Sequence, residues 1–205
     1  NVAIGTDALG GATTADQSVA IGKGALGGAT TTGNDNIAIG KDAANALTSG
    51  ANNIAIGTDA LGANITTNGN VAVGYNALLL NTAADNVAVG SAALDANTSG
   101  VRNTALGTSA LSAIATTNDS TALGYNALLL DTGGNNTAIG SRALDANSSG
   151  IQSVAIGVDA LGVATTGNDN VAVGFQALDA TTTGSRNVAL GTDALGANVR
   201  GADNV

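Results

Sequence analysis

The sequence predicts an all-β repeat protein: a parallel β-solenoid, or β-roll, of about twelve 17-residue coils. Three observations predict this fold. A glycine recurs every 16 to 18 residues, each such glycine closes a short β-forming run, and aromatic residues make up only 1% of the chain. Self-similarity at a fixed period is typical of solenoids, in which each repeat contacts only its neighbours. The repeat glycines are Gly5, Gly22, Gly40, Gly57, Gly74, Gly90, Gly107, Gly124, Gly140, Gly157, Gly174 and Gly191.

Each copy of the repeat divides into three parts. Asn53-Ile54-Ala55-Ile56-Gly57 represents the first part, and its apolar run is too short for a helix, so it predicts one short strand per copy. Two variable residues and Ala-Leu follow, which we interpret as a turn and a second short strand on the opposite wall. The remainder, such as residues 165–169, is rich in Thr, Gly, Asn and Asp and predicts a return loop.

Composition excludes several other classes of protein. A chain of 205 residues with no Pro, Trp or Cys and 30 Gly cannot build a conventional core, yet 44% hydrophobic residues argue against disorder. The net charge of -9 disfavours nucleic acid as a partner. No apolar stretch approaches the length of a transmembrane helix, so we expect no membrane contact by this segment. Because the chain lacks Met, starts at the first residue of a repeat and ends inside one, we expect residues 1–205 to be a single repeat domain from a longer fibrous chain.

One alanine in the centre of each strand is invariant, although its neighbours vary between Val, Ile, Leu and Thr. Alternate strand residues face opposite sides, so both faces of the strand are apolar. The alanines either pack against the same wall of neighbouring chains or line the narrow interior of their own coil. We predict the first arrangement, a homotrimer. Its interface would contain Ala3, Ala20, Ala38, Ala55, Ala72, Ala88, Ala105, Ala122, Ala138, Ala155, Ala172 and Ala189.

The pattern Asn-Val/Ile-Ala-Ile/Val-Gly-x-x-Ala-Leu resembles the head repeat of the YadA-like trimeric autotransporter adhesins, and similar repeats occur in phage tail fibres. The resemblance covers essentially the whole chain. It implies a left-handed parallel β-roll that assembles as a trimer and is displayed on a cell or virion surface for attachment. The implied partners are further copies of the chain and a host-cell or matrix receptor, either protein or glycan.

Three sets of side chains are candidates for function. Tyr75, Tyr125 and Phe175 are the only aromatic residues, and their spacing of 50 residues puts them three coils apart on one edge, as candidate surface contacts or as covers for nearby leucine pairs. The Asn or Ser that opens each copy predicts a hydrogen-bonded ladder. Five aspartates share the second position after the glycine, where they suit either a turn or a cation site: Asp7, Asp42, Asp59, Asp159 and Asp193.

We expect no enzyme, because the chain has no His, Cys or Glu and no copy differs enough from the others to be an active site. We therefore assign no catalytic residue, no metal ligand and no cofactor. The sequence favours a structural and adhesive segment of an extracellular trimeric fibre. The alternatives are a monomeric ice-binding β-solenoid and, less favoured, a carbohydrate-active enzyme on a β-helix.

Overall fold

The computed structural model describes residues 1–11, 14–28 and 30–205. It confirms the predicted all-β solenoid, since the described residues contain no helix and each coil contributes one strand of three residues. A helix that could span a membrane is therefore also absent from these ranges. The strands are β1 (Val2–Ile4), β2 (Val19–Ile21), β3 (Ile37–Ile39), β4 (Ile54–Ile56), β5 (Val71–Val73), β6 (Val87–Val89), β7 (Thr104–Leu106), β8 (Thr121–Leu123), β9 (Thr137–Ile139), β10 (Val154–Ile156), β11 (Val171–Val173) and β12 (Val188–Leu190).

The strands form one parallel sheet in chain order, β1 to β12. Register is constant along the sheet, and the central alanine of each strand lies opposite that of the next, as Ala55 lies opposite Ala72. Pairs with a shorter or longer spacing, such as Val71 with Val87 or Val19 with Ile37, keep the same register. The variation in copy length is therefore absorbed outside the strand, and the predicted stack of coils is confirmed.

The predicted second strand on the opposite wall is wrong. The segment after the repeat glycine is a turn, in which Asp59 and Leu61 both take the left-handed conformation at φ values of 56° and 55°. Their amides point to opposite sides of the coil, so Asp59 N donates to Lys41 O of the preceding coil and Leu61 N to Ala77 O of the following coil. These bonds, 3.0 and 2.9 Å long, tie the coils together without a second sheet.

The strand alanines line the interior of their own coil, so the prediction that they contact other chains is wrong. From β2 to β12 they are at most 3% exposed, whereas the residues on either side of them are half-buried or exposed. Leucines from the turn, such as Leu61 and Leu78, fill the rest of the interior and leave room only for a methyl group at the strand. Ala3 is exposed at the end of the stack. The correction therefore applies to the eleven buried alanines: Ala20, Ala38, Ala55, Ala72, Ala88, Ala105, Ala122, Ala138, Ala155, Ala172 and Ala189.

The predicted Asn/Ser ladder is confirmed and lies inside the coil, beside the start of each strand. Asn53 Oδ1 accepts from the backbone N of Asn70 at 3.0 Å and from its Nδ2 at 3.2 Å. Asn53 Nδ2 donates to Thr67 O at 2.9 Å. Because each buried amide is satisfied from the next coil, the ladder joins neighbouring rungs where the chain enters the sheet.

Candidate functional surfaces

The outer face of the sheet is made of the first and third residue of every strand; we call it the strand face. All of these residues are Val, Ile, Leu or Thr, so the strands carry no charge. Several are well exposed, including Leu106 at 43%, Leu123 at 41% and Val188 at 41%. Thr104, Thr121 and Thr137 lie next to one another on it. The strand face is a flat apolar surface without a partner in a single chain.

The three aromatic residues lie on one edge of the solenoid, as predicted, and they are exposed. Tyr75 is 58%, Tyr125 is 54% and Phe175 is 48% accessible. They do not cover the leucines after them, because Leu80 and Leu130 are themselves 48% and 49% exposed. The aromatics therefore remain candidate surface contacts.

Each aromatic is followed by an amide side chain that the sequence reasoning missed: Asn76, Asn126 and Gln176. All three are partly exposed and left-handed, with φ between 54° and 56°. None of their side-chain atoms takes part in a hydrogen bond within the part of the chain that the structure describes. The sequence signal was present, since the amide follows the aromatic in all three copies.

An open groove of about 420 Å³ is lined in part by the copy that contains Phe175, although Phe175 itself does not line it. Gln176 and Val163 line it together with three carboxylates, Asp145, Asp159 and Asp179. Two effects raise the pKa of Asp145: burial, which is the larger, and the nearby negative charge of the Asp159 carboxylate. The groove thus combines one exposed apolar side chain, one amide and several hydrogen-bond acceptors.

The aspartates at the second position after the glycine occupy left-handed turn positions, with φ between 53° and 57°. Asp and Asn tolerate this conformation better than most residues, which accounts for their recurrence there. Asp159 accepts two hydrogen bonds from Arg142, from Nε to Oδ1 at 2.7 Å and from Nη2 to Oδ2 at 2.9 Å. Lys41 Nζ lies 3.3 Å from Asp42 Oδ2. Among the described residues, no three His, Cys, Asp or Glu side chains are grouped closely enough to hold a metal ion.

Among the described residues, one carboxylate is buried inside the solenoid, that of Asp131, which has an accessibility of 0%. Its Oδ1 accepts from Asn147 Nδ2 at 2.6 Å, from Asn136 Nδ2 at 3.0 Å and from Gly133 N at 3.1 Å. Burial raises the pKa of Asp131, and these donors oppose the rise. Three coils earlier, Asn81 occupies the same place, and its Nδ2 donates to Ala83 O at 2.7 Å.

We expect Asp131→Asn to stabilise the fold at neutral pH by about 0.5–1.5 kcal/mol, the scale of one net hydrogen bond. The new amide can donate to Gly133 O as Asn81 does to Ala83 O. A raised pKa means that the native state holds its proton longer than the unfolded state, so this carboxyl lowers stability as pH rises above its unfolded pKa. The gain should therefore be small near pH 3 and reach a plateau at neutral pH in urea unfolding.

The matched control is Asn81→Asp, which puts a carboxyl in the same environment and should destabilise with the opposite pH dependence. A gain for Asp131→Asn that is equally large at pH 3 and pH 7 would contradict the role of the buried charge.

The fold and these surfaces define the class of protein: an all-β parallel β-solenoid of repeated coils. Comparisons with protein-family models, with curated proteins and with solved structures find no match to this chain. The function is therefore argued from the surfaces themselves.

Proposed function

We propose that this chain is a structural and adhesive segment of an extracellular trimeric fibre, in which three chains pack their strand faces around a common axis. The observation that carries the proposal is the unbroken, uncharged strand face of all twelve strands. The stacked coils provide a rigid rod, and the surfaces turned away from the axis are free to contact a receptor.

The dimensions of the strand face support self-association. Twelve strands spaced about 4.8 Å apart extend over about 53 Å, and the two columns of side chains are about 7 Å apart. The resulting apolar stripe covers several hundred Å², the size at which exposed patches in soluble proteins mark interaction sites. Because all copies keep one register, a second chain can contact the stripe along its whole length. The proposed partner is the one that the sequence predicted, namely further copies of the chain. The contact, however, uses the opposite face of the strand from the alanine face that the sequence analysis assigned to it.

The number of chains and the handedness of the coil come from the resemblance to YadA-like head repeats, which implies a left-handed roll and three-fold assembly. Three identical chains related by a rotation axis form a closed ring of heterologous contacts, which leaves no unsatisfied strand face. The branched residues provide a close-packed centre in this arrangement, whereas the alanines remain inside each coil.

The adhesive role also rests on that resemblance, and the surface chemistry is compatible with it. With the strand faces at the axis, the outer surface carries exposed aromatics, hydroxyls and carboxylates, which suit a protein or glycan receptor on a host cell or matrix. The net charge of -9 disfavours nucleic acid. We place the segment outside the cell, on a bacterial surface or a virion, with no catalytic role.

The expected result for the unmodified chain is a particle of three 19.4 kDa chains in sedimentation equilibrium at micromolar concentration. Val89→Lys should convert it to folded monomers. Three ammonium groups would meet at an apolar axis without partners, at a cost of several kcal/mol per trimer. The side chain lies on the strand face, so the interior of each coil is unchanged.

Ser99→Lys is the matched control, because it adds the same charge to the exposed return loop of the same coil. It should remain trimeric. A monomeric unmodified chain, or a Val89→Lys variant that is still fully trimeric, would contradict the proposed interface.

Ice binding is the second candidate function, because the return loops carry a column of hydroxyl groups. Side chains in the return loop are stacked rung upon rung, and each donates to a carbonyl of the next coil, as Thr82 does to Thr98 O at 2.7 Å and Thr98 to Ala115 O at 2.8 Å. Ile65 and Ala115 interrupt the column, and the donated hydrogens are not free for ice. Thermal hysteresis by the isolated chain would favour this candidate over the adhesive fibre.

A further inference from the structure

The aromatic residues form a periodic array along one edge of the rod. Backbone hydrogen bonds connect each coil to the next along this edge; for example, Ala92 N donates to Tyr75 O and Arg142 N to Tyr125 O, both at 2.9 Å. The backbone positions of the three aromatics are therefore fixed on the same edge, three rungs or about 14 Å apart. An extended ligand that lies parallel to the rod axis would meet all three.

Each ring is paired with a polar group that is free to bind. Asn76, Asn126 and Gln176 are one residue further along the coil, partly exposed, and their amides have both donors and acceptors. An apolar ring face beside an uncommitted amide suits a pyranose, whose C–H face packs on the ring while its hydroxyls bond to the amide. The groove that Gln176 lines adds the carboxylates of Asp145 and Asp179 as acceptors for further hydroxyls.

The charges around the array select against acidic ligands. On the rungs next to Tyr75 and Phe175, the turn position that Asn76 and Gln176 occupy carries Asp59, Asp159 and Asp193. Arg142, next to Tyr125, is already held by both carboxylate oxygens of Asp159. A polyanion would meet these carboxylates along the edge, whereas a neutral chain would not.

We propose that the pairs Tyr75–Asn76, Tyr125–Asn126 and Phe175–Gln176 are three equivalent subsites for one neutral linear polysaccharide that runs along the rod. The inference rests on the adhesive role proposed above, and it names the ligand class of that role. Three weak subsites on one rigid edge bind a repeating ligand cooperatively through effective concentration, so no single subsite has to be deep.

The test is affinity electrophoresis and calorimetry of the full 205-residue chain with mixed-linkage β-glucan, galactomannan and dextran, and with polygalacturonate as the acidic counterpart. We expect at least one neutral polysaccharide to bind and polygalacturonate not to bind. The triple variant Tyr75→Ala, Tyr125→Ala, Phe175→Ala should lower the affinity at least tenfold, and each single variant should lower it less.

Two sets of variants separate binding from folding. Ser91→Ala, Thr108→Ala and Ser141→Ala lie in the column of the aromatics and should leave the affinity unchanged. Asn76→Asp, Asn126→Asp and Gln176→Asp keep all three rings but remove the amide donors, and should also lower the affinity severalfold. They should fold, because Asp occupies this turn position in other coils with the same φ, as Asp59 does at 56°.

The inference is overturned if no neutral polysaccharide binds, if polygalacturonate binds more tightly, or if either set of binding variants retains the affinity of the unmodified chain. It is also overturned if the aromatic triple variant changes its oligomeric state, because the rings would then be contacts between chains. A monomer that binds the neutral probes would contradict the trimer and support the subsites. A trimer that binds none of them would overturn the subsites alone.

Discussion

Gly124→Ala should unfold the centre of the solenoid or lower its free energy of unfolding by more than 3 kcal/mol. Gly124 directly follows strand β8 and has a φ of 142°, a conformation that L side chains rarely adopt, and strain of that kind costs about 1–3 kcal/mol by itself. A Cβ at this position would also lie 2.5 Å from Gly140 O and 2.6 Å from Gly140 C of the next coil. Gly140 O accepts from Ala143 N of its own turn at 3.3 Å, and Gly140 N donates to Leu123 O of the preceding coil at 2.8 Å, so these atoms cannot move aside without disturbing both bonds.

Gly191 provides the matched control, because it has the same role in the last strand without a neighbour beyond it. Its φ is 123°, and an added Cβ there would meet nothing within 4 Å. Gly191→Ala should therefore show only the backbone strain, and the difference between the two variants in urea unfolding isolates the clash. Equal losses of stability at both positions would mean that close approach of the coils does not explain the repeated glycine.

The sequence was sufficient to predict the stack, because its regularity leaves little freedom. A glycine at each strand end and an unchanged run before it define one strand per coil, and the register of all twelve strands follows. The Asn/Ser ladder could also be predicted, since an amide at one place in each coil must find its hydrogen bonds in the next coil.

The sequence did not show in the same way which face of each strand points into the coil. Both faces are apolar, and an alanine is compatible with a narrow interior as well as with a neighbouring backbone. Thr104, Thr121 and Thr137 were the useful signal, because three successive hydroxyls are more easily placed outside a thin core than within it. The turn was predicted, but the second strand expected after it was wrong for a related reason: Leu61 is buried and apolar and looked like a strand residue, although Asp59 before it indicated the left-handed conformation.

The sequence predicted the individual side-chain sites only in part. The aromatics could be placed on one edge by counting coils, and the structure shows that they are exposed there. The importance of Asp131 was hidden, because its burial depends on which loop side chains turn inward. Its correspondence with Asn81 across 50 residues was nevertheless visible as an exchange of amide for carboxyl in otherwise similar copies.

Ala105→Leu should destabilise each chain rather than separate the chains of a trimer. Ala105 is 0% exposed, and its partners in the sheet, Ala88 and Ala122, are also buried alanines. Three added carbon atoms would have to displace the turn leucines or part the coils, and overpacking of this kind costs about 1–3 kcal/mol per chain. Thermal unfolding followed by circular dichroism should show a lower midpoint, both at high concentration and at concentrations where any assembly has dissociated.

Ala115→Leu is the matched control, because it makes the same change in the same coil at an exposed position of the return loop. Ile65 occupies the corresponding place three coils earlier at 50% exposure, so a large aliphatic side chain fits there, and we expect a change within about 0.5 kcal/mol. If Ala105→Leu instead gave folded monomers as stable as the unmodified chain, the alanine would be a contact between chains. The core of the solenoid would then have to be assigned to the other face of the strand.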